Sequence, residues 1–297
     1  PRKGYSTTWW EYAAGALCLA IPGFKVLLLA PDQKTVENCL GIMDTFHNRM
    51  HPMALRPKGV WDKEHRGWLH WRGYRAWTKK KIEEQGIESL KMEHIVEGQE
   101  SMIVTGVAST FIMGRSWSPD LVILTEFGNP GWTPALMASI REACGRWGVI
   151  VEEGTAMGMG TLHYQTYFDI KNEVIPGVSI FYPQWWVDEN QLPLGSDQRL
   201  KLDRQGVSGY TDEEMALRDT MKNDRIPEEE LEPRIAWRRA TIAKETSLNY
   251  GDSIRGKAIF LQEHPENDQS CWYNVERAAF SPEDVQFILN RCAEPQE

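Results

Sequence analysis

The segment "SPDLVILTEFGNPG" (Ser118–Gly131) sets an apolar run, Leu121–Leu124, between a Ser-Pro-Asp turn and a Gly-Asn-Pro-Gly turn. A run this short and this uniformly apolar suits a strand buried on both faces, as in a parallel sheet. It ends in Thr125-Glu126. An acidic residue at the carboxyl end of a parallel strand sits where α/β sheets bind ligands. Such a carboxylate can orient and polarise the water that attacks a γ-phosphate, directly or through Mg²⁺. Taken alone, the segment is equally an ordinary strand followed by a turn.

The same texture recurs along the chain. Phe24–Ala30 ("FKVLLLA") is a second apolar run, and Met102–Ala108, Val149–Glu152 and Val178–Tyr182 are further strand candidates. Helical patterns lie between them: Thr7–Ala20, a segment with Val36, Leu40, Met43 and Phe46 at helical spacing, Pro134–Trp147 and Thr161–Asn172. Strands alternating with helices predict an α/β fold, a mainly parallel sheet with helices on both faces. After Asp188 the chain becomes polar and turn-rich. "TDEEMALRDTMKND" and "PEEELEPRIAWRRATIAKETS" then have the acidic starts and mixed faces of amphipathic helices. A boundary is expected near residue 200, with an α/β core over 1–200 and a small helical C-terminal subdomain over 201–297.

Composition narrows the function classes. A chain of 297 residues, 41% hydrophobic and 25% charged, can bury a substantial core. Its longest apolar stretch, Ala13–Pro22, is too short for a bilayer and lacks the form of a secretory signal, so a cytoplasmic protein without a membrane partner is expected. The 5 cysteines are widely spaced with no C-x-x-C pair, which predicts reduced thiols rather than disulfides or a zinc site. His47, His51, His65, His70 and His94 show no repeated ligand spacing. A net charge of −9 argues against a general nucleic-acid-coating surface, although "RGYRAWTKKK" (Arg72–Lys81) leaves room for a local basic face. Of the 13 Trp, Trp9 and Trp10 are expected to pack against the sheet, and Trp185 and Trp186 to pack in a core ahead of meeting DNA or a neighbouring domain.

Two more segments bear on a ligand site. The chain opens "PRKGYSTTWW". A phosphate-binding loop gathers backbone N–H groups at a helix N-terminus and uses a Ser or Thr hydroxyl in the first turn to hold Mg²⁺. Ser6 is placed for that hydroxyl, Gly4 permits the tight turn, and Arg2 or Lys3 can supply the charge that Tyr5 does not. Ser6 and Thr7 can equally be plain helix caps. "VIVEEGTAMGMG" (Val149–Gly160) is another apolar strand ending in acids, followed by a small-residue loop containing Thr155. Two strand ends and a helix N-terminus would meet at one crevice.

In this order the segments resemble the large terminase subunit of tailed bacteriophages, the ATP-driven DNA-packaging motor. "PRKGYST" is similar to the second half of that family's deviant Walker A loop, K-x-[AS]-R-x-G-x-S-[TK] or R-Q-x-G-x-S-T. "LVILTEFGNPG" resembles its Walker B strand, with Gly114-Arg115 upstream as in the family, and "VEEGTAMGMGTLHYQTY" resembles its coupling segment. Downstream, "IFYPQWWVDEN", "IAWRRATI" and "AIFLQEHPENDQSCW" are similar to its later motifs. The resemblance departs at Tyr5 and Thr125, where the family more often has Lys and Asp.

The resemblance implies a P-loop NTPase of the additional-strand type, with ATP and Mg²⁺ as cofactors. It implies that Arg2, Lys3, Gly4, Tyr5, Ser6 and Thr7 bind the nucleotide, with Ser6 and Glu126 toward Mg²⁺. Glu126 would orient the attacking water, Arg115 would contact phosphate or a neighbouring subunit, and Thr155 would couple hydrolysis to movement. The implied partners are double-stranded DNA, the portal protein, the small terminase subunit and further copies of the chain in a ring, in the cytoplasm of the infected host. Arg238 and Arg239 become candidates for contacts to a linker or DNA. The family's first strand and the start of its loop would precede Pro1, and its nuclease domain would follow Glu297. The rival expectations are a degenerate α/β module that binds DNA or the portal without hydrolysis, and a superfamily 2 helicase fragment. The absence of Asp-Glu-x-[HD] after Leu124 speaks against the helicase.

Overall fold

The structure, a computed structural model, describes residues 5–21, 23–49, 58–62, 68–72, 101–109, 118–204 and 209–272. The chain divides into two compact units: Arg2–Thr155 with Thr161–His163, and Ala156–Gly160 with Tyr164–Glu297.

The first unit is built on strands β1 (Lys25–Ala30), β2 (Lys58–Asp62), β3 (Trp68–Arg72), β4 (Ser101–Val107), β5 (Leu121–Leu124) and β6 (Val149–Glu152). They form one sheet in the order β2-β3-β4-β1-β5-β6. The run β4-β1-β5-β6 is parallel throughout, and β2 and β3 extend it as antiparallel neighbours. β1 lies at the centre, with Leu27 opposite Val104 on one side and Val122 on the other. Both faces of β1 and β5 are covered, which is why their side chains are apolar without alternation.

Helices α1 (Tyr5–Ala20) and α2 (Gln33–Arg49) cover one face. Ala14 and Cys18 of α1 and Cys39 and Met43 of α2 pack there against Val26, Leu28, Ile103, Ile123 and Val151. Leu27, Leu29, Val122 and Leu124 point to the other face, against Met137 and Ile140 of α3 (Pro134–Ala143) and Leu162 at the start of α4 (Leu162–Lys171). Each Leu fully removed from water in this way contributes about 2 kcal/mol. Local chemistry sets the helix starts. Asp32 accepts the Thr35 N–H at 2.9 Å ahead of α2, and Thr133 caps α3 by accepting from Leu136 N with Pro134 in the first turn.

The second unit is helical: most of α4, then α5 (Asp197–Arg204), α6 (Asp212–Asn223), α7 (Glu228–Leu248) and α8 (Ser253–Glu263). Thr211 and Glu214 form a reciprocal capping box at α6, and Asp252 caps α8. Gly256 lets α8 approach α7 closely, because a Cβ there would fall 2.5 Å from Thr246 N.

The expected α/β fold with helices on both faces and a helical C-terminal region is therefore present. Two expectations fail. Val178–Tyr182 is not a strand. It lies in the second unit between Pro176-Gly177 and Pro183, where Phe181 packs with Tyr164, Phe168 and Trp272 while Val178 and Ile180 face outward. Trp9 is 60% exposed, because the buried stripe of α1 runs through Glu11, Ala14 and Cys18 and includes Trp10 but not its neighbour. Among the described residues no helix is long and apolar enough to cross a membrane.

Candidate functional site

The sheet register extends past the strand ends. Thr125 N donates to Leu29 O at 3.0 Å, Glu153 N to Leu124 O at 3.0 Å, and Phe127 N to Glu153 O at 2.9 Å. These bonds fix the turn after β5 against the residue after β6. Within that turn Glu126 has φ +53°, left-handed backbone that costs a non-glycine residue energy. Its carbonyl compensates by accepting from Asn129 N at 3.1 Å and from Trp132 Nε1 at 3.1 Å, and Trp132 is itself buried against Phe127. The Glu126 side chain is exposed.

Gly154 sets how closely the two strand ends approach. A Cβ at this position would fall 2.8 Å from Phe127 N and 3.1 Å from Glu126 Cα, so the loop carrying Thr155 rests directly on the Glu126 turn. Thr155 is half-buried beside it. Three segments then converge on one carboxylate. Thr7 Oγ1, in the first turn of α1, donates to Glu153 Oε1 at 2.7 Å, and Thr125 Oγ1 donates to the same oxygen. The beginning of α1, the end of β5 and the end of β6 are thus tied together at the carboxyl edge of the parallel strands. Hydroxyl donors to a charged acceptor are among the stronger hydrogen bonds available.

Of the residues expected at a nucleotide site, Glu126, Thr155 and Thr7 belong to these adjoining segments. Tyr5 and Ser6 open α1, whose first-turn N–H groups have no intrahelical acceptor, a position that suits an anion. Arg2, Lys3, Gly4 and Arg115 lie outside the described residues, as does most of the basic Arg72–Lys81 segment. Among the described residues no group of three or more His, Cys, Asp or Glu could hold a metal by itself. The missing Cβ at Gly154 is what lets the Glu126 turn approach so closely.

Sequence patterns passed over two acids here. Glu153 was visible as the second member of the Glu152-Glu153 pair at a strand end, but its partners are remote in the chain. Glu11 lies one turn after Thr7, and its spacing alone does not distinguish a buried acid from a solvated one. His163 is buried against Phe127, with rings 5.6 Å apart, and burial pushes its imidazole down to about 4.

The arginine pair on α7 is used within the second unit. Arg238 is buried and donates to Glu266 Oε1 and to Glu213 Oε1, each at 2.6 Å. Arg239 donates to both carboxylate oxygens of Glu214. Burial opposes the ionisation of Glu213 and Glu214, but bonds from Lys257 and Arg238 and from Arg239 respectively outweigh it and hold both acids below the usual carboxylate range. Trp185 is buried, its Nε1 donating to Asp224 Oδ2 at 2.7 Å, whereas Trp186 is half exposed and packs edge-on to Tyr182.

No protein-family model matches the chain, and no curated protein matches it. Among solved structures, it is similar to the large terminase ATPase domain of Thermus phage P74-26, with 15% identity and a TM-score of 0.39, covering 56% of this chain and 61% of that one. It is also similar to the large terminase of bacteriophage HK97, with 13% identity and a TM-score of 0.43, covering 78% of this chain and 44% of that one. The matched part is less than two thirds of each of those chains.

Proposed function

We propose that this chain is an ATPase module of a bacteriophage large terminase, which hydrolyses ATP to drive double-stranded DNA into a procapsid. The observation that carries the proposal is the convergence of the α1 start, the β5 end with Glu126 and the β6 end with Thr155 on Glu153, at the carboxyl edge of the parallel strands. The order of the sequence segments supports the same reading.

When bound, ATP with Mg²⁺ supplies an activated γ-phosphoryl group. In the proposed site the first-turn N–H groups of α1 bind phosphate oxygens, aided by the charge of Arg2 and Lys3. Gly4 would permit the turn into the helix, Tyr5 takes the place of the usual Lys, and the Ser6 hydroxyl would help to hold the metal. Glu126 orients a water for in-line attack and accepts its proton, while the turn around it is held rigid through its carbonyl. Arg115 contacts phosphate or a neighbouring subunit. Thr155 senses the change at Glu126 through the Gly154 contact and passes it to the segment that leads into α4. The proposed partners are double-stranded DNA, the portal protein, the small terminase subunit and other copies of the chain in a ring.

The test is Mg²⁺-dependent ATP hydrolysis by the natural full-length protein and by Glu126→Gln. The substitution is expected to leave nucleotide binding intact and slow hydrolysis by roughly 10²–10⁴-fold, the usual range for a general acid or base. Equal rates would remove Glu126 from the mechanism. Nucleotide binding without hydrolysis by the parent protein would favour a non-hydrolysing DNA- or portal-binding module.

A further inference from the structure

Glu11 follows Thr7 by one turn of α1, on the same helix face. It is fully buried at 0% exposure. Among the described residues no donor lies within normal hydrogen-bond distance of either carboxyl oxygen, and the Cys39 thiol is the one side chain that reaches toward them. Two titratable groups face it, Cys39 from α2 and Glu153 from beyond β6. A carboxylate ion in this position would be desolvated and beside a second acid, with a weak thiol donor as its one hydrogen-bonding neighbour, and both burial and the neighbouring acid disfavour ionisation.

We propose that Glu11 is held as a neutral carboxylic acid and is the positioning residue for Glu153. Its proton is the condition under which Glu153 carries the single negative charge of the cluster and holds Thr7 and Thr125 together. Loss of that proton sets two carboxylates against each other behind the α1 start and loosens the tie between α1 and the ends of β5 and β6. The direction of titration agrees with this geometry. Burial pushes Glu11 up to about 8, a hydrogen bond from the Cys39 thiol pulls the other way, and the charge of Glu153 adds to the rise. Burial likewise pushes the Cys39 thiol up, so Cys39 stays protonated and supplies no charge to the cluster.

The sign follows from linkage. The folded chain keeps a proton that the unfolded chain gives up near 4.5, so the stabilisation is complete below that pH and is lost as pH rises through about 8. The experiment compares the parent chain with Glu11→Gln and Glu153→Gln in the absence of nucleotide, so its outcome is separate from that of the ATPase reading. An infrared difference spectrum between parent and Glu11→Gln at pH 7 is expected to show the carbonyl band of a protonated carboxylic acid, fading as pH rises through about 8. The ratio of the parent folding constant to that of Glu11→Gln should fall by up to about tenfold per pH unit between those limits. In Glu153→Gln the band should fade at lower pH, because one of the forces raising it is gone. The parent spectrum needs no variant to fold. A parent lacking the band at pH 7, parallel stability curves, or an unchanged midpoint in Glu153→Gln would each overturn the proposal.

Discussion

Replacing Gly154 by Ala tests whether the contact between the two strand ends is as tight as it looks. The added Cβ would fall 2.8 Å from Phe127 N, 3.1 Å from the Glu126 carbonyl carbon and 3.1 Å from Glu126 Cα. All three are backbone atoms, so no side chain can swing aside. Relief requires the Glu126 turn and the 153–155 segment to separate by roughly half an ångström, which strains the Phe127 N to Glu153 O bond now at 2.9 Å. Overpacking of this kind costs about 1–3 kcal/mol. For a unit of this size, ~2 kcal/mol lowers the melting temperature by about 4–8 °C. Thermal unfolding monitored by circular dichroism reads the loss, and amide exchange at Phe127 localises it. A Gly154→Ala protein that melts with the parent and protects the Phe127 amide equally would refute the close-contact reasoning.

Other substitutions separate neighbouring effects. Gly41 lies exposed in α2 with nothing within 4 Å of a Cβ, so Gly41→Ala should stabilise the chain by ~0.5–1 kcal/mol in chemical denaturation. Arg238→Ala strands Glu266, whose side chain is 7% exposed, and should cost about 3–5 kcal/mol. Arg238→Met with Glu266→Gln should recover much of that loss. His163→Gln should abolish the acid destabilisation expected below pH 6.5, where the unfolded chain takes up a proton that the buried imidazole refuses until about 4.

How much the sequence disclosed depended on the range of the contacts involved. Leu121–Leu124 and Val149–Glu152 have the bounds expected for them, and β4 agrees within a residue at each end, because burial on both faces writes itself into an unbroken apolar run. The antiparallel strands Lys58–Asp62 and Trp68–Arg72 lack such runs and were not foreseen. Val178–Tyr182 has the apolar alternation of a strand but is bracketed by prolines and engages an aromatic cluster. The adjacency of Glu126 and Thr155 followed from both lying at carboxyl ends of parallel strands. Glu153 as the point where Thr7 and Thr125 meet did not, since these positions are far apart in the chain and a second acid at a strand end is ordinarily solvated. The buried Glu11 is the extreme case. An acid inside a helix is normally assigned to the water side, and only the packing of α2 and the strand ends around α1 reverses that assignment.

Glu11 and His163 both belong to the first unit, and their burial pulls stability in opposite directions. Between pH 4.5 and 8 the Glu11 contribution falls as pH rises, because the folded state holds the extra proton. Between pH 4 and 6.5 the His163 contribution rises with pH, because there the unfolded state holds the extra proton. From 4.5 to 6.5 the two slopes cancel, and above 6.5 only the decline due to Glu11 remains. For these two groups the parent chain therefore shows a plateau followed by a loss, which on its own looks like a single weak titration. The variants resolve it: without the Glu11 carboxyl the curve climbs to pH 6.5 and levels, and without the His163 imidazole it declines across the whole range. A flat parent curve in mild acid is thus what two strongly shifted, opposed groups produce, and the pH range over which each single variant slopes, not the parent curve, measures how far burial has shifted the group that remains: His163 against Phe127 in one variant, Glu11 under α1 in the other.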